Sequence, residues 1–400
     1  MDEYKNPFAP GAGTPPPALV GRTEILNNVQ LALHRVKAGK PAKSLLLVGL
    51  RGVGKTVLLN KIEEIAIEDG YKTTLLEAPE NKSLPSLLVP VLRQHLLSLD
   101  RGEKVNEQVK KALRVLKSFV NAIKLKHKDV EIQLDIDPEL GTADSGDIET
   151  DLPQLLLAVA QAAYSRKISI ALIIDEMQYI NEVELSALIM AVHKINQKQL
   201  PFILIGAGLP QLVGLTGKSK SYAERLFDFP NVGPLTKEDA KIALQNPAKQ
   251  EGVEFEDKAL NDIIDITQGY PYFLQEWGYH TWNLATSSPI SKKIVHDVEP
   301  IVTKKLDENF FRVRFDRLTP REKEYLRATA ELGAGQHRSG DIAELMGIRV
   351  QSAAPLRSGL IHKGMIYSPS HGDTAFTVPL FEEYMKRVMP KWKSKIKNGS

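Results

Sequence analysis

The chain has 400 residues, a mass of 44.4 kDa and an ordinary globular composition, 42% hydrophobic and 25% charged, which excludes a disordered or fibrous chain and allows two or three domains. It contains no cysteine, which excludes a disulfide scaffold, a cysteine-ligated zinc site and a thiol nucleophile. The net charge of +3 is uneven: from Leu318 onward 13 Lys/Arg face 8 Asp/Glu, a balance of +5 that leaves −2 for the rest and points the C-terminal part toward an acidic partner such as DNA.

Met1–Asn6 has neither the basic start nor the apolar core of a signal peptide, and the runs Leu45–Leu50 and Ile168–Ile174 fall far short of the ~20 residues that span a bilayer. A soluble, cytoplasmic protein is therefore expected. Residues 7–18 hold five prolines and read as an extended lead-in. Beyond them short apolar runs alternate with helical patterns. Ser44–Val48 is predicted as a strand, Val57–Asp69 as a helix, Lys72–Leu76 as a strand and Leu84–Leu99 as a helix. Ile168–Ile174 and Phe202–Ile205 are continuous apolar runs, the pattern of strands covered on both faces in a parallel α/β sheet.

Between Glu103 and Asp151 the alternation is interrupted by a Lys-rich amphipathic helix, Lys104–Lys126, the alternating strand Val130–Ile136 and an acidic loop over 138–150. This stretch reads as an insertion, and its Asp144–Glu149 run misses calcium-loop spacing, so a solvated loop is expected. From Leu235 the pattern is helical: Thr236 caps Ala240–Lys249, and Asp257–Ile266, Tyr272–Ala285 and Lys292–Phe310 follow. From Leu318 the order is helix (Pro320–Leu332), short helix (Gly340–Met346), helix (Ala353–Lys363) and two strands (Gly364–Tyr367, Ala375–Val378).

The sharpest motif is Gly49-Leu50-Arg51-Gly52-Val53-Gly54-Lys55-Thr56, a G-x-x-x-x-G-K-[ST] loop between a predicted strand and a predicted helix. Its glycines let backbone N–H groups, including that of Val53, curl toward phosphates at the positive helix end. Lys55 supplies a fixed charge to the β/γ oxygens, and the Thr56 hydroxyl is a Mg²⁺ ligand. These residues make the chain a nucleoside triphosphate binder. Ser169–Glu176 is an apolar strand ending in two carboxylates; set beside the phosphate-loop strand, its Asp175 would hold the Mg²⁺ shell and Glu176 would polarise the attacking water.

With these motifs in place the chain resembles AAA+ P-loop ATPases of the origin-recognition and STAND-like group, from residue 19 to about 388. Leu19-Val20-Gly21-Arg22-Thr23-Glu24 resembles the segment that packs over the adenine, and Phe202–Pro210 resembles the sensor 1 strand. Tyr222–Phe227 resembles the arginine-finger segment, with Arg225 as the finger and a fifth strand near Phe229–Val232. Thr267–Tyr272 is similar to the Gly-x-Pro motif of the helical lid, where Pro271 lies against the base, and the C-terminal region resembles a winged helix. The resemblance implies an α/β P-loop core with a lid and a winged helix, ATP and Mg²⁺ as cofactors, and an ATPase. It divides the chain into a lead-in (1–18), an AAA+ core (19–234, insertion about 103–151), a lid (235–317), a winged helix (318–390) and a basic tail (391–400).

Two departures from the family pattern point to slow hydrolysis and a nucleotide-controlled switch. The sensor 1 strand ends in Gly206-Ala207-Gly208, without a polar side chain for the γ-phosphate, and Tyr272 and Phe273 follow Pro271 where an arginine is usual. Gln178 is a candidate to orient water instead. Arg225 would act from a neighbouring subunit, which implies an ATP-dependent homo-oligomer; its alternative is an ion pair with Glu224 or Asp228. In the C-terminal region Ser352 would cap Ala353–Lys363 with Pro355 in the first turn, and Arg349, Gln351, Arg357 and Lys363 would face DNA. Lys386, Arg387, Lys391, Lys393, Lys395 and Lys397 add charge, yet Ser368–Thr374 at the wing tip has no Lys or Arg. Two partner classes stay open: duplex DNA, or protein as in a STAND-like signalling ATPase. The histidines show no ligand spacing.

Overall fold

The computed structural model describes residues 1–11, 13–100, 106–124, 136–370 and 372–395. Five parallel strands carry the core: β1 (Ser44–Val48), β2 (Tyr71–Glu77), β3 (Ser169–Asp175), β4 (Phe202–Gly208) and β5 (Phe227–Asp228), in the order β2-β3-β4-β1-β5. β1, β3 and β4 are buried at every position, as their unbroken apolar runs require once helices cover both faces. β4 lies between β1 and β3, so the two motif-bearing strands are separated by one strand and not adjacent as expected. In register, Val48 faces Gly208 and Glu77 faces Asp175, so the carboxyl ends of these strands open on one edge.

β5 begins at Phe227, two residues before the expected start, pairing with Ser44 and Leu45. The ladder breaks at Phe229–Pro230, where proline has no N–H to give, and resumes as a bridge from Val48 to Asn231. The insertion supplies a helix, Glu107–Lys124, whose buried Val109, Ala112, Leu116, Phe119, Val120 and Ile123 recur at helical spacing against its neighbours. The predicted strand Val130–Ile136 lies outside the described residues except for Ile136. The acidic loop ends earlier than expected, because Asp147 caps a helix from Ile148 to Ser165, accepting from Thr150 N at 3.0 Å. Buried Asp151 accepts from Ser145 Oγ at 2.7 Å and Gly146 N at 2.8 Å, so this loop closes on a carboxylate.

Helices Lys237–Gln250, Asp257–Thr267, Pro271–Leu284 and Lys292–Lys305 fill the span expected to form the lid; Thr236 caps the first, accepting from Asp239 N at 3.1 Å. The last does not run to Phe310 as one α-helix. It passes into a π-helical turn, Leu306–Phe311, and a short helix, Arg312–Phe315. That turn carries Phe311, packed on Phe273 of the lid and on Phe381 and Tyr384 of the C-terminal unit. The C-terminal unit has helices Pro320–Glu331, Ser339–Leu345, Val350–His362 and Phe381–Val388 and a small antiparallel sheet of β6 (His337–Arg338), β7 (Ile366–Tyr367) and β8 (Asp373–Phe376). Its third helix starts at Val350 with Arg349 at the N-cap, so Ser352 is not the cap and Pro355 sits inside the helix beyond the first turn.

Candidate active site

After β1 the chain curls through Gly49–Gly54 into the helix Lys55–Glu68. Gly54 holds the N-cap at φ 89°, a left-handed geometry with no side chain to occupy the first-turn N–H groups. Lys55 is 7% exposed and donates to the carbonyls of Gly49 and Leu50, both at 2.9 Å. Burial pulls its ammonium down to about 8; Glu176 and Asp175 oppose that shift and Arg51 adds to it. Beneath the loop, buried Arg22 donates to Gly233 O at 2.6 Å and Val53 O at 3.2 Å. Gly21 makes the turn before it beside Asp239, and Val20 faces the cavity.

Thr56 Oγ1 donates to Asp175 Oδ2 at 2.6 Å, joining the helix start to the end of β3 across the width of β4. Asp175 is 5% exposed, and burial raises its carboxyl above the usual range, opposed by the Thr56 hydrogen bond. A hydroxyl and a buried carboxylate at a phosphate loop are hard oxygen donors that fit Mg²⁺. Glu176 follows in a left-handed conformation, φ 53°, which turns its side chain out of the strand direction. Its Oε1 lies 3.5 Å from Arg51 Nη1 and its Oε2 accepts from Gln178 Nε2. Gln178 Oε1 in turn accepts from Leu209 N at 3.0 Å. A Cβ at Gly208 would sit 2.9 Å from that Oε1, so Gln178 fills the space beside the end of β4.

These groups open on a cavity of about 610 Å³, the size of a nucleotide site. Its charged part holds Arg51, Lys55, Thr56, Asp175 and Glu176; its apolar part holds Val20, Leu235, Ala243, Pro271 and Leu274. Pro271 is the first residue of its helix, and Tyr272 N donates to Gly52 O at 3.2 Å, which ties the lid to the phosphate loop.

Three features were not visible in the sequence. Arg314, from the short helix after the π-helical turn, lines the cavity with Glu176 and Arg51 among its charged neighbours. Its guanidinium lies over Phe310 at 4.1 Å, and burial together with Arg51 lowers it to about 10. The lid turn has no arginine, but this residue, some forty positions later, brings one to the site. Second, Arg51 reaches the C-terminal unit: its N–H donates to Thr377 O at 3.0 Å and its Nε points to Gly364 O at 3.5 Å. Third, the lead-in is docked. Phe8 is 2% exposed against Phe255 and Gly278, Asn6 donates to Asn283 Oδ1 at 2.7 Å, and Ala9, Gly11, Thr14, Pro16 and Leu19 roof the cavity.

The other predicted residues lie elsewhere. Arg225 is exposed, does not line the cavity and has no ion pair among the described residues; Asp228, its suggested partner, pairs with Lys43 at 3.0 Å. Arg349 and Gln351 are exposed at the start of their helix. Arg357 is turned inward, donating to Ser368 Oγ at 2.7 Å and Asp373 O at 2.6 Å. Lys363 pairs with Glu322 at 2.7 Å and donates to Arg317 O at 3.2 Å. In the tail, Arg387 pairs with Asp307 at 2.6 Å and Lys395 with Glu324 at 3.3 Å, while Lys397 is outside the described residues.

A parallel sheet of this order, a phosphate loop and an acid pair at the end of β3 define a P-loop ATPase. Residues 18–205 match the family described as AAA ATPase domain, and residues 308–385 match the family described as domain of unknown function (DUF8462). No curated protein matches the chain. Among solved structures, the Walker-type ATPase of Pyrococcus abyssi is similar at 15% identity and TM-score 0.51, over 92% of this chain and 96% of that one. The RuvB Holliday junction branch migration motor of Thermotoga maritima aligns over 92% and 95% of the two chains at 16% identity and TM-score 0.44. The ORC1 protein of Aeropyrum pernix, solved in complex with DNA, aligns over 93% and 94% at 14% identity and TM-score 0.45. The first likeness is one of fold; together with the match of residues 18–205 to the AAA ATPase domain it supports an ATPase.

Proposed function

We propose that the protein is an ATP-dependent AAA+ switch that hydrolyses slowly and passes its nucleotide state to a partner through its C-terminal unit. The observation that carries this reading is that the phosphate loop is tied from two sides, by Tyr272 of the lid at Gly52 O and by Thr377 of the C-terminal unit at Arg51 N. A loop that must reshape around phosphates is thereby linked to both mobile partners of a switch. Loop N–H groups and Lys55 bind the β/γ oxygens, and Glu176 takes the proton of the attacking water. Mg²⁺, when bound by Thr56 and Asp175, supplies charge neutralisation at the same oxygens. Arg314 adds positive charge in cis, and exposed Arg225 is free to serve a neighbouring copy as a finger in an ATP-dependent homo-oligomer. The neutral sensor 1 position and the engaged oxygens of Glu176 support slow turnover. ATP titration of the wild type and Lys55→Ala tests the site: loss of binding is expected, and wild-type affinity in the variant would remove it.

In this reading the C-terminal unit is a winged helix, and duplex DNA is its partner, through the charges of Arg349, Lys391 and Lys393 and the amide of Gln351. One observation favours the second reading, contact with protein. Arg357 and Lys363 are bonded internally, and the exposed side of helix Val350–His362 carries Val350, Ala354, Pro355 and Ser358. A DNA titration across salt separates them. Phosphate contacts require affinity to fall with log salt by a slope of ~0.9 per contact, whereas no binding at low salt selects protein.

A further inference from the structure

We infer that Arg51 is a positioning residue that restrains Glu176, and that the docked C-terminal unit sets the restraint. The inference rests on Glu176 being the general base. Arg51 belongs to the phosphate loop, yet its side chain turns sideways into a second cavity, of about 460 Å³, between the sheet edge and the C-terminal unit. There its guanidinium makes three contacts: Glu176 Oε1 at 3.5 Å, the Tyr179 hydroxyl at 2.7 Å and the Gly364 carbonyl at 3.5 Å. With Gln178 on Oε2, both oxygens of Glu176 are engaged by donors. A carboxylate with both oxygens engaged by donors is not free to reorient toward a water.

The C-terminal unit is seated on this contact. Gly364 has φ +63°, and a Cβ there would lie 2.9 Å from Arg51 Nη2, 3.2 Å from the Tyr179 hydroxyl and 3.3 Å from Leu209 Cδ1. Only a residue without a side chain lets the unit approach so closely and still leave the guanidinium in place. The same face is held by the forked pair of Arg317 with Glu80, at 2.7 and 2.5 Å, and by the N–H of Arg51 on Thr377 O at 3.0 Å. Undocking of the unit removes the Gly364 and Thr377 contacts together, which leaves Arg51 free to swing away and Glu176 free to meet its water. Binding of a partner to the C-terminal unit would then raise turnover without touching the nucleotide.

The test is steady-state ATP turnover and ATP affinity of the full chain as wild type, Arg51→Ala, Gly364→Ala and the double variant, with Glu176→Gln as reference. Arg51→Ala is expected to raise kcat by about fivefold or more, the lower range for coupling between sites, with the ATP Kd held within about threefold. Gly364→Ala should raise kcat in the same direction by pushing the guanidinium aside, and the double variant should be no faster than Arg51→Ala, because both act on one contact. If Arg51→Ala turns over at or below the wild-type rate with its Kd intact, the restraint is overturned; if the two gains multiply, Gly364 does not act through Arg51. Turnover in Glu176→Gln equal to wild type would instead reject Glu176 as the base, a failure of the underlying reading that is visible separately.

Discussion

At one end the cavity gathers Arg51, Lys55, Asp175, Glu176 and Arg314, while at the other it is walled by Val20, Leu235, Ala243, Pro271 and Leu274. The charged end is overdetermined: each ionic group there has a hydrogen bond or a neighbouring charge, and burial shifts Lys55, Asp175 and Arg314 toward their neutral forms. The apolar end offers surface to cover and little geometry to satisfy. Apart from Arg51, whose loss should raise turnover, losses at the charged end should therefore be steep and specific to binding or turnover, and losses at the apolar end shallow and additive.

The steepest effects belong to Lys55 and Glu176. Lys55→Ala leaves two carboxylates and the phosphates without their fixed cation, and nucleotide binding should fall below detection in calorimetry. Glu176→Gln keeps shape and one acceptor oxygen, so ATP should bind with near wild-type affinity while turnover drops by about 10²–10⁴-fold. Retained turnover in that variant would erase the distinction between binding and chemical groups at this end.

Arg314 and Arg225 divide the next effect between cis and trans. Removing a preorganised donor from developing transition-state charge costs about 10²–10³ in kcat, and Arg314→Ala should approach that at every protein concentration. Arg225→Ala should leave the dilute rate unchanged and flatten the rise of specific activity with protein concentration. A monomer with the same specific activity at all concentrations would assign the cis arginine the whole role and return Arg225 to the surface.

What could be read from the sequence follows the same division between local and distant. The loop Gly49–Thr56, the strand ending in Asp175-Glu176 and the turn before Pro271 are contiguous motifs whose geometry is set by neighbours in sequence, and the structure brings Arg51–Thr56, both acids and Pro271 to one cavity. Arg314 was not legible. Its signal, an arginine four residues after Phe310 on one helical face, is common on surfaces, and the π-helical turn that aims it inward has no clear sequence signature. Arg357 and Lys363 failed the other way: their charge suggested a groove, but partners at 322, 368 and 373 claimed them through tertiary contacts. The order of strands was likewise set by packing, which placed β4 between the two motif strands.

The pH dependence is smaller and has a fixed sign. The Lys55 ammonium, drawn down to about 8 by burial, is charged below that pH and loses its proton above it. Phosphate binds the charged form, so ATP affinity should be flat below about pH 8 and fall up to tenfold per pH unit above it. An affinity that stays level to pH 9.5 would mean that the nearby carboxylates outweigh burial at this lysine.

The smallest effect is expected at the roof of the apolar end. Phe8 is buried against Phe255 and Gly278 and anchors the segment whose Ala9, Gly11, Thr14, Pro16 and Leu19 cover the cavity. A fully buried Phe is worth about 1.5–3 kcal/mol, but it is not the sole anchor. Asn6 still holds Tyr279 O at 3.0 Å and Asn283 Oδ1 at 2.7 Å, and Trp282 Nε1 still donates to Asp2 O at 3.0 Å. Phe8→Ala should thus loosen the roof without removing it, weakening ATP binding by about three- to tenfold, equivalent to about 0.7–1.4 kcal/mol. Because the described roof residues make no hydrogen bond to a group at the charged end, Gly13 O accepting instead from Asn60, kcat at saturating ATP should not change. Protease cleavage within residues 9–18 reports independently whether the segment has lifted. A roof that is cleaved readily while ATP affinity is untouched would show that it covers the cavity without contributing to binding, and the contrast between the two ends would then lie in the charged groups alone.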